Sequence, residues 1–148
     1  MDSTYFHLVL THFPIIGTLF GVVLLAYGIY SNNDLFKKAG LITFIATALV
    51  GFPAFLTGDG AAEALKQLKR IPEQLIDNHE ELGEKAIWII AALGLFSLVG
   101  LILDYRKNKY FRTACLIILI FSILTFVFMI FVGYSGGQIR LSDLRLTQ

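Results

Sequence analysis

Four stretches of this chain contain no Asp, Glu, Lys or Arg: Ser3 to Asn33, Ala39 to Gly58, Ala86 to Leu103 and Thr113 to Ile139. Each reaches or exceeds the ~18 apolar residues that mark a helix able to cross a bilayer. The pattern predicts four membrane-spanning helices over about 13–31, 39–57, 85–104 and 113–134. Short connections between four spans predict an all-α fold, an up-down-up-down integral membrane bundle forming one domain over residues 1–148. Gly17 and Gly21 make a GxxxG, a spacing that favours close helix packing. The N-terminal MDSTYFHLVL carries no Lys or Arg, and no small-residue cleavage site ends the first run. The first span is therefore expected to stay in the mature protein rather than leave as a signal peptide.

The one sizeable polar segment lies between spans two and three, over 58–85. Thr57-Gly58-Asp59-Gly60 reads as a helix stop and restart. The following AAEALKQLKR reads as a short amphipathic helix at the membrane surface, with Ala61, Leu65 and Leu68 on one side and Lys66, Lys69 and Arg70 elsewhere. Pro72 suits the first position of the next helix, with Glu73 in its first turn. From there the helical pattern continues into span three. At about 100° per residue, Leu75, Ile76, His79, Leu82, Gly83 and Ala86 share roughly 120° of arc. Asp77, Asn78, Glu80, Glu81, Glu84 and Lys85 occupy the remainder. Helix three should project beyond the bilayer with His79 on its apolar face and Gly83 one turn on.

Composition agrees with the pattern. The chain is 56% hydrophobic and 16% charged, against about 45–50% and about 25% for soluble domains. Disorder is excluded by the same figures. A net charge of +1 offers nothing to a nucleic acid. One cysteine excludes a disulfide framework, a CxxC site and covalent haem attachment through CxxCH. The connections at 31–38 and 104–112 carry Lys37, Lys38, Arg106, Lys107, Lys109 and Arg112, six positives in 17 residues, whereas the other side spreads six over about 55 residues and its 58–85 loop carries seven acids. This asymmetry predicts that the two basic connections face the cytoplasm, and that both termini and the 58–84 loop lie outside.

All three histidines fall at the outer rim. His7 and His12 are five residues apart, about 140° on a straight helix. Pro14 suits a helix that starts near Thr11–Phe13 or kinks there, and such a break would let both histidines converge with His79. Asp59 and the Tyr134–Arg140 segment reach the same rim. Ionisable groups at a membrane bundle point to function, and three readings compete. In the first, one b-type haem is held by His12 and His79 on different helices. His7 lies nearby, Gly83 leaves room for the porphyrin, and Arg140, Lys66, Lys69 or Arg70 meets the propionates. In the second, the three histidines with Asp59 or Glu80 hold zinc or copper, although no HxH, HxxxH or HExxH spacing occurs. In the third, the protein is a structural or assembly subunit and its histidines are interfacial. The uncharged span interiors disfavour a transporter or channel. Ser97 and Ser122 lie mid-span, far from any histidine, which leaves no hydrolase triad.

Four motifs carry a resemblance that extends over most of the chain: His7-x4-His12-Phe13-Pro14-Ile15, Thr57-Gly58-Asp59, His79-Glu80, and Gly133-x2-Gly136-Gly137. Together they resemble an uncharacterised bacterial family of predicted four-helix membrane proteins with an HxxxxHFPI start and a GxxGG end, sometimes fused to cytochrome c-like domains. Leu8 stands where a proline often follows the first histidine, and Gln138 and Arg140 make this end more polar than usual. The resemblance implies a multi-pass protein of the bacterial inner membrane, in contact with lipid and with a membrane-protein or cytochrome partner. The fusions tilt the reading toward redox chemistry, and the chain is expected to be an electron-transfer or accessory membrane subunit rather than an enzyme.

Overall fold

A computed structural model describes the backbone of residues 3–68 and 71–146 and the side chains of 7–67 and 71–142. It contains four helices, α1 (Ser3–Tyr30), α2 (Asp34–Leu68), α3 (Glu73–Tyr105) and α4 (Phe111–Leu146), with no strand among the described residues. Each helix packs on its neighbours in chain order, and α1 meets α4 to close the ring. Facing residues show the antiparallel register. Along α1, Gly17, Gly21 and Gly28 lie against Thr47, Phe44 and Lys37 of α2. The two helices touch so closely that a Cβ on Gly40 would lie 2.8 Å from the Leu25 backbone nitrogen. The GxxxG is therefore a packing seam, in which small residues let backbones approach.

All four helices are long and apolar enough to cross a membrane, and at most 33% of each apolar window is buried within the bundle. The other faces present Phe13, Ile16, Phe20, Leu49, Leu95 and Ile120 outward, as a lipid environment requires. With 35, 33 and 36 residues, α2, α3 and α4 are each about 50 Å long, against a hydrocarbon core of about 30 Å. Exposed Trp88 and Tyr105 bracket about 26 Å of α3, which fits an aromatic belt at each interface. The surplus length therefore lies at the end carrying the histidines.

At the opposite, basic end the connections are tight. Asn32 and Lys107 take left-handed backbone angles, with φ of 51° and 50°. The Asn33 and Asn108 N–H groups then reach back to the Gly28 and Leu103 carbonyls, each at 2.9 Å, which satisfies helix-end acceptors. Above them a core of Leu25, Leu41, Phe44, Leu93, Phe111, Cys115 and Ile118 fills the bundle.

Two sequence expectations are corrected at the histidine end. The first concerns Pro14, which does not break α1. The helix runs through it from Ser3, with Pro14 buried beside Gly51 of α2 and its carbonyl accepting from the Thr18 hydroxyl at 2.6 Å. The second concerns the separate amphipathic helix, which does not form. The stretch 61–68 is the end of α2, which continues through Pro53 and Gly58-Asp59-Gly60. Packing outweighs the propensity of the glycines: Ala62 is buried with Ile71, Ile76 and Ile139, and Leu65 packs on that cluster. Lys66 then ties α2 to α3 through Asp77 and Glu80, each at 2.8 Å. Pro72 lies at the α3 N-cap, with Glu73 in the first turn.

Candidate ligand site at the histidine end

Between the rim cluster of Ala62, Ile71, Ile76 and Ile139 and a deeper cluster of Ala86, Ile90, Met129 and Val132 lies a cavity of about 830 Å³, lined by all four helices. Its volume is in the range of small-molecule and cofactor sites. The cavity exists because the helices outrun their tight seam. Glycines and alanines replace the large side chains that fill the basic end. A Cβ on Gly83 or Gly137 would meet nothing within 4 Å.

His7 and His79 face each other across this site, with ring centroids 6.1 Å apart and planes at 81°. The His7 Nδ1–H donates to the Ala54 carbonyl at 3.0 Å. The Thr57 hydroxyl donates to that same carbonyl at 2.9 Å and lies 3.4 Å from the His7 nitrogen. The His79 Nδ1 lies 2.7 Å from the Ser135 hydroxyl oxygen. Each imidazole is also backed by a glycine on another helix. A Cβ on Gly58 would lie 3.3 Å from His7 Cε1, and one on Gly136 would lie 3.1 Å from His79 Cε1. The four sequence motifs thus meet in pairs: the first histidine on Thr57-Gly58, and His79 on the segment that holds Gly136-Gly137.

His12 stands differently from the expectation. It is exposed at the cavity's edge, and its Nδ1–H donates to the Leu8 carbonyl of its own helix at 2.6 Å. An unbroken α1 keeps the two histidines on different faces, so the structure pairs His7, not His12, with His79. Gly83 borders open space as expected, and Arg140 lines the cavity. Lys66 is engaged by Asp77 and Glu80. Lys69 and Arg70 lie outside the described residues. Asp59 and Glu80 line the cavity, but no three His, Cys, Asp or Glu side chains among the described residues gather as metal ligands.

Ser135 was missed by the sequence reading. Its signal is faint: a serine inside the Tyr134–Arg140 segment, one residue before the paired glycines. Only the packing of α4 on α3 brings it to His79.

The model of a family described as "Predicted membrane protein (DUF2231)" matches residues 4–144 of the chain. No curated protein and no solved structure matches it.

Proposed function

The chain belongs to the DUF2231 family of predicted membrane proteins, and from that footing we propose that its cavity binds one b-type haem between His7 and His79, for electron transfer at the outer face of a bacterial inner membrane. The observation that carries this reading is the imidazole pair. Two histidine nitrogens each about 2 Å from one metal ion set their ring centroids about 6 Å apart, close to the 6.1 Å found. Both Nδ1 atoms are held by protein partners, which leaves each Nε2 for the ligand. Metal-bound histidines are held by such outer partners.

The donor set favours haem over a bare ion. Zinc and copper sites draw three or four ligands from the protein, and here two imidazoles converge without a third donor among the described residues. Haem would bring four nitrogen ligands of its own and would need only two from the protein, which His7 and His79 would supply. The space beside Gly83 and the apolar wall of Ile15, Ile87, Ile90, Met129 and Val132 suit its flat body. Arg140 at the lining offers a cation for propionates. Bound haem would supply a one-electron couple, with His7 and His79 holding it and the surrounding helices limiting water. The orientation rests on Arg106, Lys107, Lys109 and Arg112, none of which has an ion pair among the described residues and all of which suit the cytoplasmic side. A membrane redox complex would supply the electron partner.

The test is an absorption spectrum of the purified protein from haem-supplied cells, oxidised and dithionite-reduced. The reading expects a Soret band and a sharp reduced α-band, both lost in His7→Ala and in His79→Ala and retained in His12→Ala. A well-folded protein with no such bands would overturn it in favour of a structural or assembly subunit.

A further inference from the structure

We infer that Ser135 is a positioning residue which locks His79 as its Nδ1–H tautomer and so turns a bare Nε2 lone pair toward the cavity; as a statement about ligand tuning, this rests on the haem reading. A serine hydroxyl has one hydrogen to donate. Ser135 lies 2.9 Å from the Val132 carbonyl, an acceptor that can only receive, so the arrangement that makes hydrogen bonds of both Ser135 contacts sends its hydrogen there. Toward His79, 2.7 Å away, the same oxygen can therefore only accept. The shared proton must then reside on His79 Nδ1. A neutral imidazole with Nδ1 protonated has an unprotonated Nε2, which is the nitrogen a metal can take.

The opposite histidine reaches the same state through a different device. His7 Nδ1 faces the Ala54 carbonyl, which has no proton to give. A backbone carbonyl is beyond the reach of substitution, whereas Ser135 is a side chain. On the His79 side Ser135 is the partner that substitution can remove, although the Val132 carbonyl also hydrogen-bonds that ring; on the His7 side the nearest hydroxyl, Thr57, is farther, 3.4 Å from Nδ1. Donation from Nδ1–H enriches the other nitrogen and raises its basicity as a ligand. Greater basicity favours the higher oxidation state of a bound metal, so the Ser135 contact should lower the reduction potential of the site. No charged group intervenes in the contact. Glu80 follows His79 on α3 but is paired with Lys66.

The control must remove the hydroxyl without opening a new route, because the Val132 carbonyl lies next to Ser135. Ser135→Thr keeps an oxygen that can donate to the preceding turn. Ser135→Val has the same shape but puts a methyl there, screening the Val132 carbonyl from the ring. The first readout needs no haem: nitrogen chemical shifts of the three histidines in the detergent-solubilised protein, at a pH where they are neutral, assigned with His7→Ala and His12→Ala. The native protein and Ser135→Thr should show a protonated Nδ1 and a bare Nε2 at His79. Ser135→Val should move the proton toward Nε2 and leave His7 unchanged. The second readout is the midpoint potential of the haem-loaded protein, expected to be higher in Ser135→Val than in the native protein and unshifted in Ser135→Thr. Identical His79 shifts in all three proteins would overturn the positioning role, whether or not haem binds. A native protein that shows the tautomer pattern but never takes up haem would sink the proposed function and leave the positioning role standing.

Discussion

The adjacent glycines Gly136 and Gly137 should respond differently to the same added methyl group. In Gly136→Ala the new Cβ would sit 3.1 Å from His79 Cε1 and 3.5 Å from Nε2. Ordinary contact begins near 3.4 Å, so the ring must retreat by a few tenths of an ångström. Its retreat is away from α4, the helix that carries Ser135, and this stretches the 2.7 Å contact to the hydroxyl. Loosening one such hydrogen bond costs about 0.5–1.5 kcal/mol. Against this, alanine is better than glycine within a helix by about 0.8–1.0 kcal/mol. The two nearly cancel, so global stability should change by less than about 1 kcal/mol. Haem affinity should not be spared, because disturbing an outer partner of a metal-bound histidine typically costs about 10–100-fold. In Gly137→Ala the Cβ meets nothing within 4 Å, so only the helix gain remains and affinity should hold. Stability would be measured by denaturant titration of the detergent-solubilised protein, and affinity by haem titration of the apoprotein at the Soret band. Equal affinity in the two variants, or a greater loss in Gly137→Ala, would refute the contact argument.

Three further outcomes are expected. Gly40→Ala should destabilise the fold by about 1–3 kcal/mol, because its Cβ would press on the Leu25 backbone at 2.8 Å and backbone does not yield as a side chain end does; Gly83→Ala, with open space around it, is the matched control in the same denaturation assay. For orientation, Gln67→Cys should react with an impermeant thiol reagent in intact cells and Asn108→Cys should not, while buried Cys115 stays silent; reversed labelling would place the histidine end in the cytoplasm. Trp88, the only tryptophan and 73% exposed, should be quenched more by lipids brominated near the headgroup than by lipids brominated at the chain ends, and the opposite order would move the bilayer along α3.

The sequence by itself determined the four spans and the face of α3. Charge exclusion from lipid is a one-dimensional rule, because a charge in the hydrocarbon is costly whatever the neighbouring helices do. The runs from Ser3 to Asn33 and from Thr113 to Ile139 therefore needed no tertiary information. The apolar face that carries His79 was equally legible, since a helix with no Pro or Gly break from Glu73 to Leu82 has one phase. The packing of Gly17 and Gly21 followed from their spacing. What the chain could not settle was every point where local propensity and packing disagreed. Pro14 and Gly58-Asp59-Gly60 each signal an interruption, yet α1 and α2 run through them because broken backbone near a membrane leaves polar groups without partners, while unbroken helices bury Pro14 and Ala62. That outcome decided which histidine meets His79. His7 and His12 are chemically identical, and only the continuity of α1 turns the first toward the cavity and leaves the second exposed. Ser135 was hidden for the same reason: its contact with His79 joins two helices far apart in the chain, and a hydrogen bond across a bundle exists only once the bundle has formed.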